Sequence, residues 1–237
     1  MADKGANIII EVVAPALGVI LSTGLGFGPL PAILKCRRNK TLGETNPDPF
    51  VMLFGNAVGW IIYAASTKNA YVFAGNFFGV LLGMFYVLTG YYLTASDTIR
   101  RRLEIMMGTV ISLWLIVGYS ACYFEDVKHR NDLLGITANI LCLTLFASPL
   151  SSAAKVIQTK SAASINPIFA VMQVVNCTMW TTYGLAINDI FLLIPNALGL
   201  VLGLMQCALL FLFRGAKANQ NSEPAASEDG PYRPISE

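Results

Sequence analysis

Apolar residues along this chain are gathered into long runs. Taking charged residues as boundaries gives seven of them, roughly 12–34, 49–67, 70–94, 105–124, 133–154, 167–187 and 190–213. Each comes to about the 20 mostly apolar residues that an α-helix needs to cross a hydrocarbon layer about 30 Å thick. The connections between runs are short and polar. The pattern predicts an all-α integral membrane protein with seven transmembrane helices. After Phe213 the chain turns to Arg214, Lys217, Asn, Ser, Glu and Pro, so 214–237 reads as a short disordered cytosolic tail. The first run has no basic segment before it and no small-residue cleavage site, and is expected to be a retained helix.

Composition agrees with this pattern. Charged residues make up 13% of the chain, against about 25% in an ordinary soluble domain. The formal net charge of +2 makes no case for nucleic acid as a partner. The placement of the basic residues says more than their number. Twelve of the sixteen fall in the segments 35–48, 95–104, 155–166 and the tail, leaving Lys4, Lys68, Lys128 and Arg130 on the other side. Lysine and arginine accumulate on the cytoplasmic face, so the N-terminus is expected outside and the C-terminus in the cytosol.

The chain repeats itself. Residues 18–94 laid on 138–214 at a constant offset of 120, without a gap, match at 18 of 77 positions. Matched leucines mean little, but Pro29/Pro149, Pro47/Pro167, Asn56/Asn176, Trp60/Trp180, Tyr63/Tyr183 and Asn76/Asn196 carry weight. Three crossings leave a chain on the opposite side, so a fourth is needed before the second copy can insert in the same orientation. The run at 105–124 supplies it. The expected organisation is 3+1+3: a first three-helix repeat at 8–96, a linker helix at 97–126, a second repeat at 127–213, and the tail. The two bundles are then parallel. Gly79-x-x-x-Gly83 and Gly199-x-x-x-Gly203 recur at the same offset, a spacing that lets helix backbones approach closely.

Taken at these spacings, the residues resemble the SWEET sugar transporters of the MtN3/saliva group over about 10–214. The resemblance rests on Pro29 with Lys40-Thr41, Trp60 with Tyr63, and Asn76-x-x-Gly79 in the first copy. In the second it rests on Ala147-Ser148-Pro149-Leu150-Ser151, Thr159-Lys160-Ser161, Trp180-x-x-Tyr183-Gly184 and Ile194-Pro195-Asn196-x-x-Gly199. Parallel-repeat carriers of this kind bind substrate between the copies, near the bilayer midplane.

The resemblance implies roles for particular residues. Asn76 and Asn196 would bind sugar, and a primary amide, with two donors and an acceptor, suits hydroxyls that both give and accept. The competing role for a membrane asparagine is to bond a neighbouring helix. Trp60 and Trp180 would line the pocket, where an indole packs on the apolar C–H face of a sugar; the alternative is an interfacial aromatic belt. Many plant members carry a small residue at the first of these positions, so two tryptophans imply a narrower cavity and a monosaccharide before a disaccharide. A proline from each of helices 1, 2, 5 and 6 would act as a hinge: Pro29, Pro149, Pro167, and either Pro47 or Pro49. The repeat register selects Pro47 and the family's proline–aromatic motif selects Pro49-Phe50, while first-turn capping would also account for Pro47 and Pro167. Tyr63, Tyr183, Lys68 and Asp189 match an outer gate in which tyrosine hydroxyls and an ion pair close the mouth; snorkelling tyrosines and solvated charges are the plainer reading. The first copy reads Tyr63-Ala64 where the family usually has Tyr-Gly.

No ionisable residue lies in the middle of any run; Glu11, Asp97, Glu104, Asp132 and Asp189 sit at the edges. Ion-coupled carriers usually keep a charge at depth, so uncoupled transport of a neutral solute is expected. His129 is placed in an outer loop. The five cysteines show no metal spacing and no disulfide framework, and no catalytic constellation appears. No enzymatic activity, metal or cofactor is expected.

The resulting expectation is a bidirectional sugar uniporter for a monosaccharide such as glucose, with other hexoses or sucrose as further candidates. Its host would be the plasma membrane, or else a vacuolar or other endomembrane, and the resemblance implies self-association into a homo-oligomer. Two alternatives stand: a PQ-loop carrier of amino acids, although Pro29-Leu30 and Pro149-Leu150 replace the Pro-Gln dipeptide, and a seven-helix receptor, against which the gapless duplication argues.

Overall fold

The computed structural model describes residues 8–213. The tail at 214–237, with Arg214, Lys217 and Arg233, and Lys4 at the other end lie outside the described residues. Within them the chain is helical. A π-helical turn at Ile9–Val13 leads into α1 (Ala14–Phe27), which continues through Gly28-Pro29 into α2 (Leu30–Asn39). Then come α3 (Asp48–Thr67), α4 (Ala70–Leu93), α5 (Asp97–Ala121), α6 (Val127–Leu145), α7 (Ala147–Thr159), a 3-10 turn at Ala162–Ser164, α8 (Pro167–Ala186) and α9 (Ile190–Leu212).

The π-helical turn with α1 and α2, and α6 with α7, form continuous rods of 31 and 33 residues, so the nine α-helices make seven rods. Six are long and apolar enough to cross a membrane. The seventh, α8, has the length at 20 residues, but Gln173, Asn176, Thr178, Thr181 and Thr182 make it less apolar. Two of these polar side chains, Gln173 and Asn176, line the cavity between the bundles, and Asn176 is buried.

Helix ends differ from the sequence expectation at several places. The first rod runs to Asn39, past 34, and the fifth covers Val127–Thr159 where 133–154 was predicted. Helix α5 begins at Asp97, where the linker helix was placed and eight residues before its apolar run starts. Charges mark poor boundaries here because Lys and Arg on a terminal turn extend their heads to water along an apolar stem. Lys35, Arg37 and Arg38 all sit on α2, and Lys155 on α7. Glu104 lies two turns inside α5, its carboxylate accepting from Tyr91 Oη at 2.7 Å.

The break in the first rod follows from Pro29, which has no N–H to give to the carbonyl four residues back. Gly28 N–H bonds the Leu25 carbonyl at 3.1 Å instead, and Tyr86 Oη donates to the Gly26 carbonyl at 2.9 Å. Broken backbone at membrane depth survives only when such partners exist. The fifth rod breaks at Phe146, three residues before Pro149.

Packing follows the sequence repeat. Helix α4 lies against α1 and α3; α9 lies against α8 and against α6 and α7. The small-residue spacing works as a packing feature inside each bundle. A Cβ on Gly83 would come within 2.9 Å of the Phe54 Cα, and one on Gly203 within 2.9 Å of the Val174 Cγ2. Phe54 and Val174 are themselves 120 apart. The bundles meet along α1–α8 and along α3–α6, contacts that the repeat relates to each other. The linker α5 covers the α3–α6 side, where Trp114 Nε1 donates to the Gly55 carbonyl at 2.9 Å and Arg102 pairs with Asp48 at 3.0 Å.

The backbone repeats even where side chains do not. Lys40 and Lys160 have φ of 55° and 54°, and so do Lys68 and Asn188. Left-handed conformation is uncommon outside glycine, so its recurrence at matched positions marks the same chain reversal in both copies. These reversals define two ends. The basic end carries Lys35, Arg37, Arg38, Lys40, Arg100, Arg101, Arg102, Lys155 and Lys160; the tyrosine end carries Lys68, Lys128 and Arg130.

Candidate functional site

A cavity of about 540 Å³ lies between the two bundles, within the range of about 300–1,000 Å³ usual for small-molecule sites. Its lining includes Asn76 of α4, Asn196 of α9, Trp60 of α3 and Trp180 of α8. The four sequence-predicted binding residues are thus brought together from four helices.

Each asparagine is anchored in the same way. Asn76 Nδ2 donates to the Val72 carbonyl at 2.9 Å and Asn196 Nδ2 to the Leu192 carbonyl at 2.8 Å. One amide hydrogen is used on the helix's own backbone; the second hydrogen and the carbonyl oxygen are left for a ligand. The competing role was a bond to a neighbouring helix; the bond observed in each copy runs to the residue's own helix.

The tryptophans are both buried, and their environments differ. Trp60 Nε1 donates directly to Asn56 Oδ1, one turn back, at 3.2 Å. Trp180 Nε1 donates to Ser22 Oγ of α1 at 2.9 Å, and Ser22 Oγ donates to Asn176 Oδ1 at 2.9 Å. The indole of Trp180 also presses on the first bundle. A Cβ on Gly18 would stand 2.9 Å from its Cε2, and one on Gly75 would stand 2.8 Å from its Cζ2. Only a residue without a side chain admits the ring at those two positions. A buried tryptophan with its N–H engaged is a wall of the cavity, and the belt reading does not fit that placement.

At the tyrosine end the bundles are tied across their interface. Tyr63 Oη of α3 donates to Asp189 Oδ1 at 2.9 Å, and Tyr183 Oη of α8 donates to Asn69 Oδ1 at 3.3 Å. Asp189 and Asn69 also cap α9 and α4, accepting the N–H groups of Leu192 at 3.0 Å and Val72 at 3.1 Å. An aromatic ring backs each tyrosine edge-on: Phe191 beside Tyr63 with centroids 6.0 Å apart, and Tyr71 beside Tyr183 at 5.8 Å. The two sets are related by the offset of 120.

The expected Lys68–Asp189 ion pair is not among the salt bridges of the described residues. Lys68 closes α3 in the left-handed conformation. The next residue, Asn69, caps α4 and meets the tyrosine. The repeat held that signal, since Asp189 shifted by 120 gives Asn69. Ser22 carried no such signal: its partners lie 154 and 158 residues away, and its register mate is Cys142.

Toward the basic end the lining runs through Ser148, Pro149, Ser152 and Gln206 to the exposed Asn166 and Phe169. The cavity is therefore tied shut at the tyrosine end and opens toward the basic end. Of the five candidate hinge prolines, Pro149 lines this mouth. Pro29 sits at the break of the first rod, and Pro167 occupies the first turn of α8. Pro47 is buried, packed where a Cβ on Gly90 would come within 2.6 Å of it, whereas Pro49 is exposed in the first turn of α3.

A protein-family model described as a sugar efflux transporter for intercellular exchange matches residues 15–98 and 132–218, most of both repeats. The chain is 27% identical over 212 residues to the bidirectional sugar transporter SWEET5 of Arabidopsis thaliana, covering 88% of this chain and 86% of that protein. It is 28% identical over 217 residues to the sugar transporter SWEET1 of Dictyostelium discoideum, covering 89% of this chain and 96% of that one. In three dimensions it is similar to a eukaryotic SWEET transporter with a TM-score of 0.82 and 22% identity, over 89% of this chain and 99% of the other. That likeness shows a common 3+1+3 fold.

Proposed function

Since the chain belongs to the MtN3/saliva family of sugar transporters, we propose that it carries a monosaccharide such as glucose down its gradient in either direction, by alternating access and without a coupled ion. Neither the amino-acid carrier nor the receptor is supported by the relatives described above. One observation carries the reading: two amides and two indoles from four helices share a single cavity that is bonded shut at one end and open at the other.

The chemistry follows from those groups. A sugar entering from the basic end lays its C–H face on the tryptophan rings, and its hydroxyls exchange hydrogen bonds with Asn76 and Asn196. The basic end is taken as cytosolic, which makes this the inward-facing state. Passage to the other side requires the Tyr63–Asp189 and Tyr183–Asn69 bonds to part while the bundles close around the proline-marked ends of α2, α3, α7 and α8. Neutral amides supply the binding groups at depth, so no ion has to travel with the sugar.

The test is tracer uptake into liposomes holding the purified protein, with glucose, fructose, galactose and sucrose compared. Hexoses should enter faster than sucrose, and Asn196→Ala should lower glucose uptake at least about tenfold, the equivalent of about 1.4 kcal/mol. Full transport by Asn196→Ala would remove Asn196 from the site.

A further inference from the structure

Pro195 lies inside α9, one residue before Asn196. In an α-helix the N–H of each residue bonds the carbonyl four back. Proline has no N–H, so the Phe191 carbonyl is left without its helical partner. That partner comes from another helix. Asn139 of α6 places Nδ2 3.0 Å from the Phe191 oxygen and 2.9 Å from the Gly135 oxygen of its own helix. A primary amide has two N–H bonds, so both are used at once, one holding the side chain in place and one completing the kinked helix.

The molecule contains its own control. Shifted by 120, Asn139 becomes Val19, Pro195 becomes Gly75 and Phe191 becomes Tyr71. Gly75 keeps its N–H, so the first copy has no carbonyl to rescue, and the facing residue is apolar. Val19 stands there, its Cγ2 3.8 Å from where a Cβ on Gly75 would be. The amide is present in the copy with the proline and absent in the copy without it.

We propose that Asn139 is a positioning residue of the transport site, replacing the hydrogen bond that Pro195 cannot make and so holding the turn of α9 that carries Asn196. The bond sits between Asp189, which meets Tyr63, and Asn196, which lines the cavity. It ties that turn to α6, where the Phe191 ring already lies so close that a Cβ on Gly135 would come within 2.4 Å of it. Without the bond, residues 190–195 can swing about Pro195, and the Asn196 amide loses its setting against Asn76. This inference rests on Asn196 being a sugar ligand.

The test is a double-mutant cycle in liposomes with labelled glucose, using Asn139→Leu, Pro195→Ala and the two together. Asn139→Leu should raise KM about tenfold with Pro195 present and less than about twofold with alanine there, because alanine restores the missing N–H. A purely structural defect would lower Vmax through the amount of active protein and leave KM unchanged. An equal KM change in both backgrounds overturns the proposal. Should Asn139→Leu fail to accumulate, the yield of monodisperse protein in detergent decides: recovery in the Asn139→Leu/Pro195→Ala double variant supports it, and no recovery overturns it. Asn196→Ala, run alongside, separates the two readings. Full transport by that variant sinks the sugar site, whereas missing coupling between residues 139 and 195 sinks this inference alone.

Discussion

At the scale of single residues, the two copies have kept the asparagines and tryptophans that line the cavity and changed what supports them. Asn76 and Asn196, Trp60 and Trp180 were legible because a gapless repeat separates meaningful matches from cheap ones. Their supports were not legible. Ser22 links Trp180 to Asn176, while its register mate Cys142, a weak donor and acceptor, takes no such part and Trp60 bonds Asn56 directly. Removing the hydroxyl leaves the indole N–H and the Asn176 oxygen to find other partners, at a cost of about 1 kcal/mol or somewhat more. Ser22→Ala is therefore expected to raise the KM for glucose about threefold to tenfold, measured by uptake at graded concentrations, with the protein still folded. An unchanged KM would mean that the position of Trp180 does not depend on the relay.

Whole elements were read correctly in number and order, and less well at their ends. Interruption by charge is a sound guide to where a membrane helix stops being apolar. It misplaces the end of the helix where Lys35, Arg37 or Lys155 continues the same rod into the interface. The caps at Asp189 and Asn69 were not anticipated either, and they coincide with the bonds that tie the two bundles together. Asp189 and Asn69 each start a helix and each accept a tyrosine hydroxyl from the opposite bundle. A neutral amide already does this work in one copy, so Asp189→Asn should transport glucose within about threefold of the wild type. Asp189→Ala loses the cap, worth about 1 kcal/mol, together with the gate bond. A lowered unfolding temperature and transport reduced about tenfold are expected. Equal impairment of both variants would show that the gate needs a charge and not merely an acceptor.

For the whole molecule, the offset of 120 predicted two parallel bundles and a linker, and the fold has them. The seat of the linker could not be read, because α5 has no partner in the repeat. Its Trp114 and Arg102 fix it on the α3–α6 side, and among the described residues it leaves the α1–α8 side uncovered. The cavity between the bundles holds amides, hydroxyls and indoles in place of charges, and that is the basis for claiming a uniporter. The most direct measurement is exchange of labelled for unlabelled glucose across reconstituted liposomes with equal sugar on both sides and no proton or sodium gradient. Brisk exchange is expected, unchanged by a proton ionophore or by replacing sodium with potassium. Exchange that appears only with an imposed ion gradient, or that the ionophore abolishes, would contradict uniport.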